Sequence, residues 1–104
     1  MANTKAKIDI NFMNAKDKAK ELEEIAGELE RLSKRSMDDT LQQIGANWKG
    51  ENAGLYLQKG KKVEDEILKT AQDLRNTAAT IRRMAQRIYD TEMRVLEIAT
   101  VREQ

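Results

Sequence analysis

Apolar residues along this chain recur in steps of mostly three and four, which predicts two long amphipathic helices. The first stripe reads Ala15, Ala19, Leu22, Ile25, Leu29, Leu32, Met37, Leu41 and Ile44. The second reads Tyr56, Val63, Ile67, Ala71, Leu74, Ala78, Ile81, Ala85, Ile88, Glu92, Val95 and Ala99, close to an alternation of three and four. Spacing of 3.5 residues sustained over that length favours a gently supercoiled seam. Between the stripes lies Asn47-Trp48-Lys49-Gly50-Glu51-Asn52, with the single tryptophan and a glycine two residues later. A tight bend needs a residue free to take positive φ, and Gly50 supplies it. The expected architecture is therefore all-α: one domain over 1–104, with helix one at about 12–46, a bend at 47–51 and helix two at about 52–98. A short bend between comparable helices requires that they pack antiparallel. Asn11 or Asn14 is the expected N-cap of helix one, and 1–10 reads as a partly ordered lead-in. Ser33, Ser36 and Asp38-Asp39 thin the first stripe, so looser packing is expected near 33–39. The last residues, 97–104, lose amphipathicity and are expected to fray.

Composition sharpens this picture. Charged residues make up 36% and aromatics 4%, and proline, cysteine and histidine are absent. That profile belongs to long helices or coiled coils. A lone two-helix hairpin buries little, and small domains need a staple or a partner. With no cysteine there is no disulfide, and with neither cysteine nor histidine there is no ordinary zinc site. Association remains as the route to adequate burial, so the chain is expected to be at least a dimer. The helix-packing and dimer-interface residues are expected to be Leu22, Ile25, Leu29, Leu32, Leu41, Ile44, Ile67, Leu74, Ile81 and Ile88.

Net charge is +1, with nine basic and ten acidic residues before Ala53 and ten and eight from there on. No basic arm or membrane-surface helix follows from that balance. Residues 1–15 lack a signal-peptide pattern, and no apolar run approaches the roughly 18–20 residues that span a bilayer. Adjacent carboxylates at Glu23-Glu24 and Asp38-Asp39 point about 100° apart on a helix and sit in water, which is poor for acid–base catalysis. No hydroxyl has a histidine to activate it, and no glycine pattern matches a phosphate loop. No enzyme activity and no cofactor are expected. The lysines at 59, 61 and 62 run straight into Glu64-Asp65-Glu66, and Arg82-Arg83 with Arg87 lack aromatics to stack bases, so both read as solvated faces rather than nucleic-acid sites. Trp48 either fills the end of the hairpin or offers a ring face to a partner, as tryptophan does at binding hot spots. One ring can do both.

The chain resembles the WXG family of type VII secretion, the early-secretory-antigen-like (Esx) proteins of Gram-positive bacteria and mycobacteria. The likeness rests on a chain of about one hundred residues without a signal peptide, with a helix on each side of a central Trp48-Lys49-Gly50. It implies a helical hairpin that pairs with a second one into a four-helix bundle, homomeric or heteromeric. It also implies export of the folded dimer by a membrane ATPase, or service as an adaptor for a larger effector toxin through that toxin's helical N-terminal region. Trp48 and Gly50 would belong to the export-recognition surface. The family's second signal is Tyr-x-x-x-Asp/Glu late in helix two, and here the sequence departs from it. Tyr89 is followed at spacing four by Met93, with Glu92 at spacing three. Either Tyr89 and Glu92 form a loose version or the partner subunit supplies the signal. Two other readings stand beside this one. The first is a coiled-coil scaffold or tether without a secretion role. The second is a membrane-active hairpin, which the narrow, Ala-rich stripes make a poor surface binder.

Overall fold

The computed structural model describes residues 4–48 and 50–103. Helix α1 spans Lys5–Arg31, a π-helical segment spans Leu32–Met37, α2 spans Asp38–Asn47 and α3 spans Glu51–Glu103. Among the described residues no strand occurs. α1 starts well before residue 12. Thr4 Oγ1 accepts the Lys7 N–H at 3.3 Å and so caps the helix in place of Asn11 or Asn14. Ile8 is then fully buried, which is why the lead-in is helical. At the other end α3 continues through the stretch expected to fray.

The chain divides into two compact units, Glu23–Arg75 and the segment up to Leu22 together with that from Asn76 onward. In the first unit Ser33 meets Glu64, Leu41 meets Gly60, Leu57 meets Gly45 and Trp48 meets Tyr56. As one number climbs the other falls, so this unit is an antiparallel hairpin. In the second unit Phe12 stacks on Tyr89 with ring centroids 4.7 Å apart.

Small side chains fill the seams. Ala26, Ser33, Ala53 and Ala71 are buried in the first unit, and Ala19, Ala78 and Ala85 in the second. On α3 the buried positions 64, 71, 78 and 85 recur every seven residues, and on the N-terminal side 19, 26 and 33 do the same. Side chains this short let helix axes approach toward the low end of the usual range of roughly 8–10 Å. Larger residues then flank the contact. Ile25 and Leu32 keep 46% of their surface while their neighbours Ala26 and Ser33 take the centre.

The π segment has a sequence cause. Ser33, Met37 and Leu41 follow in steps of four, and each such step overshoots a full α-helical turn by about 40°. A turn closed from i to i+5 absorbs the excess. The Asp38 N–H indeed donates to the Ser33 carbonyl as well as to that of Arg35. With that correction both Ser33 and Leu41 face α3. The same stretch, 33–39, is the one where the stripe thins in sequence.

Two glycines of the bend region should respond oppositely to alanine. Gly50 sits at φ +110°, where a Cβ is strained, so Gly50→Ala should cost about 1–3 kcal/mol. Gly54 lies inside α3 with nothing within 4 Å of an added Cβ, so Gly54→Ala should stabilise by about 1 kcal/mol. Urea unfolding followed by circular dichroism measures both. A loss at position 54 would contradict the open space described there.

Candidate functional site

The bend is built from Trp48, in extended conformation (φ −111°, ψ 133°), and Gly50 at positive φ. Lys49 lies outside the described residues. The Trp48 N–H donates to the Ile44 carbonyl at 2.8 Å, finishing α2, and the Gly54 N–H donates to the Gly50 carbonyl at 3.3 Å, opening α3. Glu51 in the first turn of α3 suits the positive end of its dipole. The extended backbone at 48 turns the indole away from the α2 axis. It meets Tyr56, one and a half turns into α3, at a centroid distance of 5.1 Å and an interplanar angle of 55°. Trp48 nevertheless keeps 51% of its surface exposed. The ring therefore packs on one side and is open on the other.

Beside it lies an open groove of about 460 Å³ lined by Thr40, Gln43, Ile44, Asn47, Trp48 and Tyr56. None of these carries a charge at neutral pH. Two of the polar groups are spent locally, Thr40 Oγ1 donating to the Ser36 carbonyl at 2.8 Å and Asn47 Nδ2 to the Gln43 carbonyl at 3.0 Å. The groove thus offers aromatic and aliphatic surface with amide groups at its edge, the composition of a protein contact surface.

Tyr89 and Glu92 come together in the second unit. Both line a small apolar cavity of about 120 Å³ that also involves Ile8, Phe12, Ala15 and Ala85. Tyr89 is half-buried by its stack on Phe12, over which Lys16 Nζ sits at 5.1 Å from the ring centroid, a cation–π geometry.

The residues expected to form helix packing and an interface are split by the structure. Leu22, Leu29, Leu41, Ile44, Ile67, Leu74 and Ile81 are half-buried beside the alanine seams. Ile25, Leu32 and Ile88 are exposed. In the same hairpin Leu55, Tyr56 and Val63 also retain about half their surface, and in the second unit so do Ile10, Met13, Met84, Val95, Ile98 and Val101. No helix is long and apolar enough to cross a membrane among the described residues.

Several structural residues had no distinct sequence signal. Gly60 receives Leu41 so closely that a Cβ there would collide with its side-chain end. Glu30 grips Arg75 of α3 with both oxygens, Nε at 3.3 Å and Nη2 at 2.5 Å. The Arg75 hydrogen bonds hold the Glu30 carboxyl below its ordinary pKa. This contribution is full above the usual carboxylate range and fades as pH falls through the lowered value. Glu64 is the outlier. It is 4% exposed, with Oε1 accepting from Lys61 Nζ at 3.1 Å and Oε2 buried without a partner among the described residues.

Comparison with known proteins yields no matching family model, curated protein or solved structure.

Proposed function

We propose that this chain is a WXG-type helical protein of bacterial type VII secretion, acting by protein contact as an exported dimer or as an adaptor for a larger effector. One observation carries the reading. Trp48 and Gly50 form the connection between two helices, with the glycine at positive φ and half of the indole surface open beside an uncharged groove. A tryptophan needed only to fill the hairpin end would be buried.

The seams support the need for a partner. Alanines occupy the buried centres while large aliphatic side chains flank them about half exposed, an arrangement costly to leave facing water. A second helical hairpin, from another copy, a sister protein or an effector's N-terminal region, would cover them. In this reading Leu22, Ile25, Leu29, Leu32, Leu41, Ile44, Ile67, Leu74, Ile81 and Ile88 serve helix packing and the interface. Tyr89 and Glu92 form a loose second recognition element or the partner subunit supplies that signal, and the membrane ATPase of the secretion machine is the downstream partner. In this reading the protein is made in the cytoplasm and exported.

Trp48→Ala tests the recognition role separately from folding. The ring is half exposed, so the variant should retain helicity and its oligomeric state by light scattering, while its amount in culture supernatant drops at least tenfold. Unchanged export would remove Trp48 from the signal. Export that persists without the type VII ATPase would favour the scaffold reading. A monomer at micromolar concentration, with no complex formed in cells, would remove the dimer.

A further inference from the structure

Where α1 gives way to the π segment, the 23–75 hairpin carries a basic niche. It encloses about 320 Å³ and is lined by Gly27, Glu30, Arg31, Lys34, Arg35 and Arg75. Gly27 leaves the floor without a side chain. A Cβ there would lie 3.5 Å from Arg31 Nη1 and 4.0 Å from Arg75 Nη2, so two guanidiniums from different helices converge over one spot. Arg75 is fixed by the fork to Glu30, and that fork engages both Glu30 oxygens. Arg31, Lys34 and Arg35 make no hydrogen bond or ion pair within 4.0 Å among the described residues, although the charges of Lys34 and Arg31 act on Glu30 and help lower its carboxyl pKa. Lys34 and Arg35 follow Arg31 by three and four residues, so each neighbours Arg31 along the helix, where like charges repel. The described lining thus carries four cations and one carboxylate, Glu30, and Glu23 also acts on Arg75.

We propose that this niche binds a phosphate-type oxyanion. Arg31 and Arg35 offer planar forks of N–H donors, Lys34 adds a mobile point charge, and Arg75 forms a fixed back wall. A phosphomonoester carries nearly two charges and three acceptor oxygens, which suits the cluster of Arg31, Lys34 and Arg35 better than a carboxylate does. No aromatic side chain lines the niche, so nothing there would stack a nucleobase. The ligand is recognised through its phosphate, whether a soluble diphosphate or the headgroup of an anionic phospholipid. The proposal stands independently of any role in secretion.

The test uses the full chain in chloride buffer of fixed ionic strength. Pyrophosphate is titrated by calorimetry, and arginine Nε–H signals are followed by NMR. In a second arm the protein is sedimented with phosphatidylcholine vesicles, with and without phosphatidic acid. Saturable pyrophosphate binding without vesicle pelleting identifies a soluble ligand, and pelleting only with phosphatidic acid identifies the headgroup. Either outcome supports the site if Arg31→Gln with Arg35→Gln weakens it at least tenfold while Arg83→Gln with Arg94→Gln, removing equal charge elsewhere, leaves it within twofold. Glu30→Gln, which weakens the grip on Arg75, should strengthen binding several-fold. Equal losses in the two double variants would reduce the effect to diffuse charge and overturn the site, as would an absence of binding in both arms.

Discussion

Replacing Glu64 by methionine should raise the unfolding free energy of the protein by about 1–4 kcal/mol. The carboxylate occupies a seam position that Ala71, Ala78 and Ala85 repeat farther along α3, and it is 4% exposed. One oxygen is held by Lys61, whose own side chain is 61% exposed, and the other has no donor among the described residues. A buried acceptor without a partner costs about 1–3 kcal/mol, and more when charged. Removing one member of a buried ion pair is usually harmful because the other charge is then stranded in the interior. Here the survivor, Lys61, is already in water and can turn to Asp65, 3.7 Å away. Methionine keeps the length and the packed methylenes while removing the charge. Glu64→Ala removes the same charge but leaves a cavity, so it should gain less than methionine does. Urea midpoints of the three proteins decide the matter. A methionine variant less stable than the parent would mean that the carboxylate is satisfied in solution.

Across the seam Ser33 donates from Oγ to the Glu64 carbonyl at 3.3 Å, and Ser33 opens the π turn by accepting from the Asp38 N–H. An uninterrupted alanine seam repeats every seven residues and could slide by one repeat. Ser33, by donating to a main-chain carbonyl of α3, marks one register, as single polar residues do in coiled coils, and that bond does not use the Glu64 side chain.

Ala71→Leu should destabilise by about 1–3 kcal/mol, and the neighbouring Ala79→Leu should change stability by no more than about 0.5 kcal/mol. Both alanines lie on α3, and the substitutions are identical in helix propensity and in added hydrophobicity. The difference is position. Ala71 is fully buried where a facing helix passes, and Ala79 is exposed. Three added carbons at 71 must push the helices apart or take a strained rotamer, while at 79 they enter solvent. Thermal unfolding of the pair therefore reads how closely the helices approach. Equal, small effects at both positions would mean that the seam is loose.

The rotation of the helices was only partly legible in the residues. Periodicity is enough to yield helices on both sides of Trp48 and a bend that uses Gly50. The two stripes contain Ala19, Ala71, Ala78 and Ala85, which are buried in the seam, but they also pass through Ile25, Leu32 and Val63, which are exposed. At those three places the seam lies one residue further on, at Ala26, Ser33 and Glu64. Alanine and serine carry little weight in a hydrophobic pattern, and glutamate reads as surface. Where a helix turns by one position to bury a serine or a glutamate beside a larger apolar residue, the apolar pattern does not show it. The seven-residue recurrence of 19, 26 and 33 and of 64, 71, 78 and 85 was the available signal. At the bend the residue types pointed to Trp48 and Gly50, but whether the indole faced inward or outward could not follow from them.

The residues alone determined the helical class and the place of the bend, because repeating apolar spacing and a glycine free to take positive φ act within a few turns of chain. Tertiary structure decided that Ala26, Ser33 and Glu64 take the seam in place of Ile25, Leu32 and Val63, that α1 begins at Lys5, and that a π turn is inserted at 32–37. Each of these depends on how closely a second helix can approach, and that distance is a property of two segments far apart in sequence.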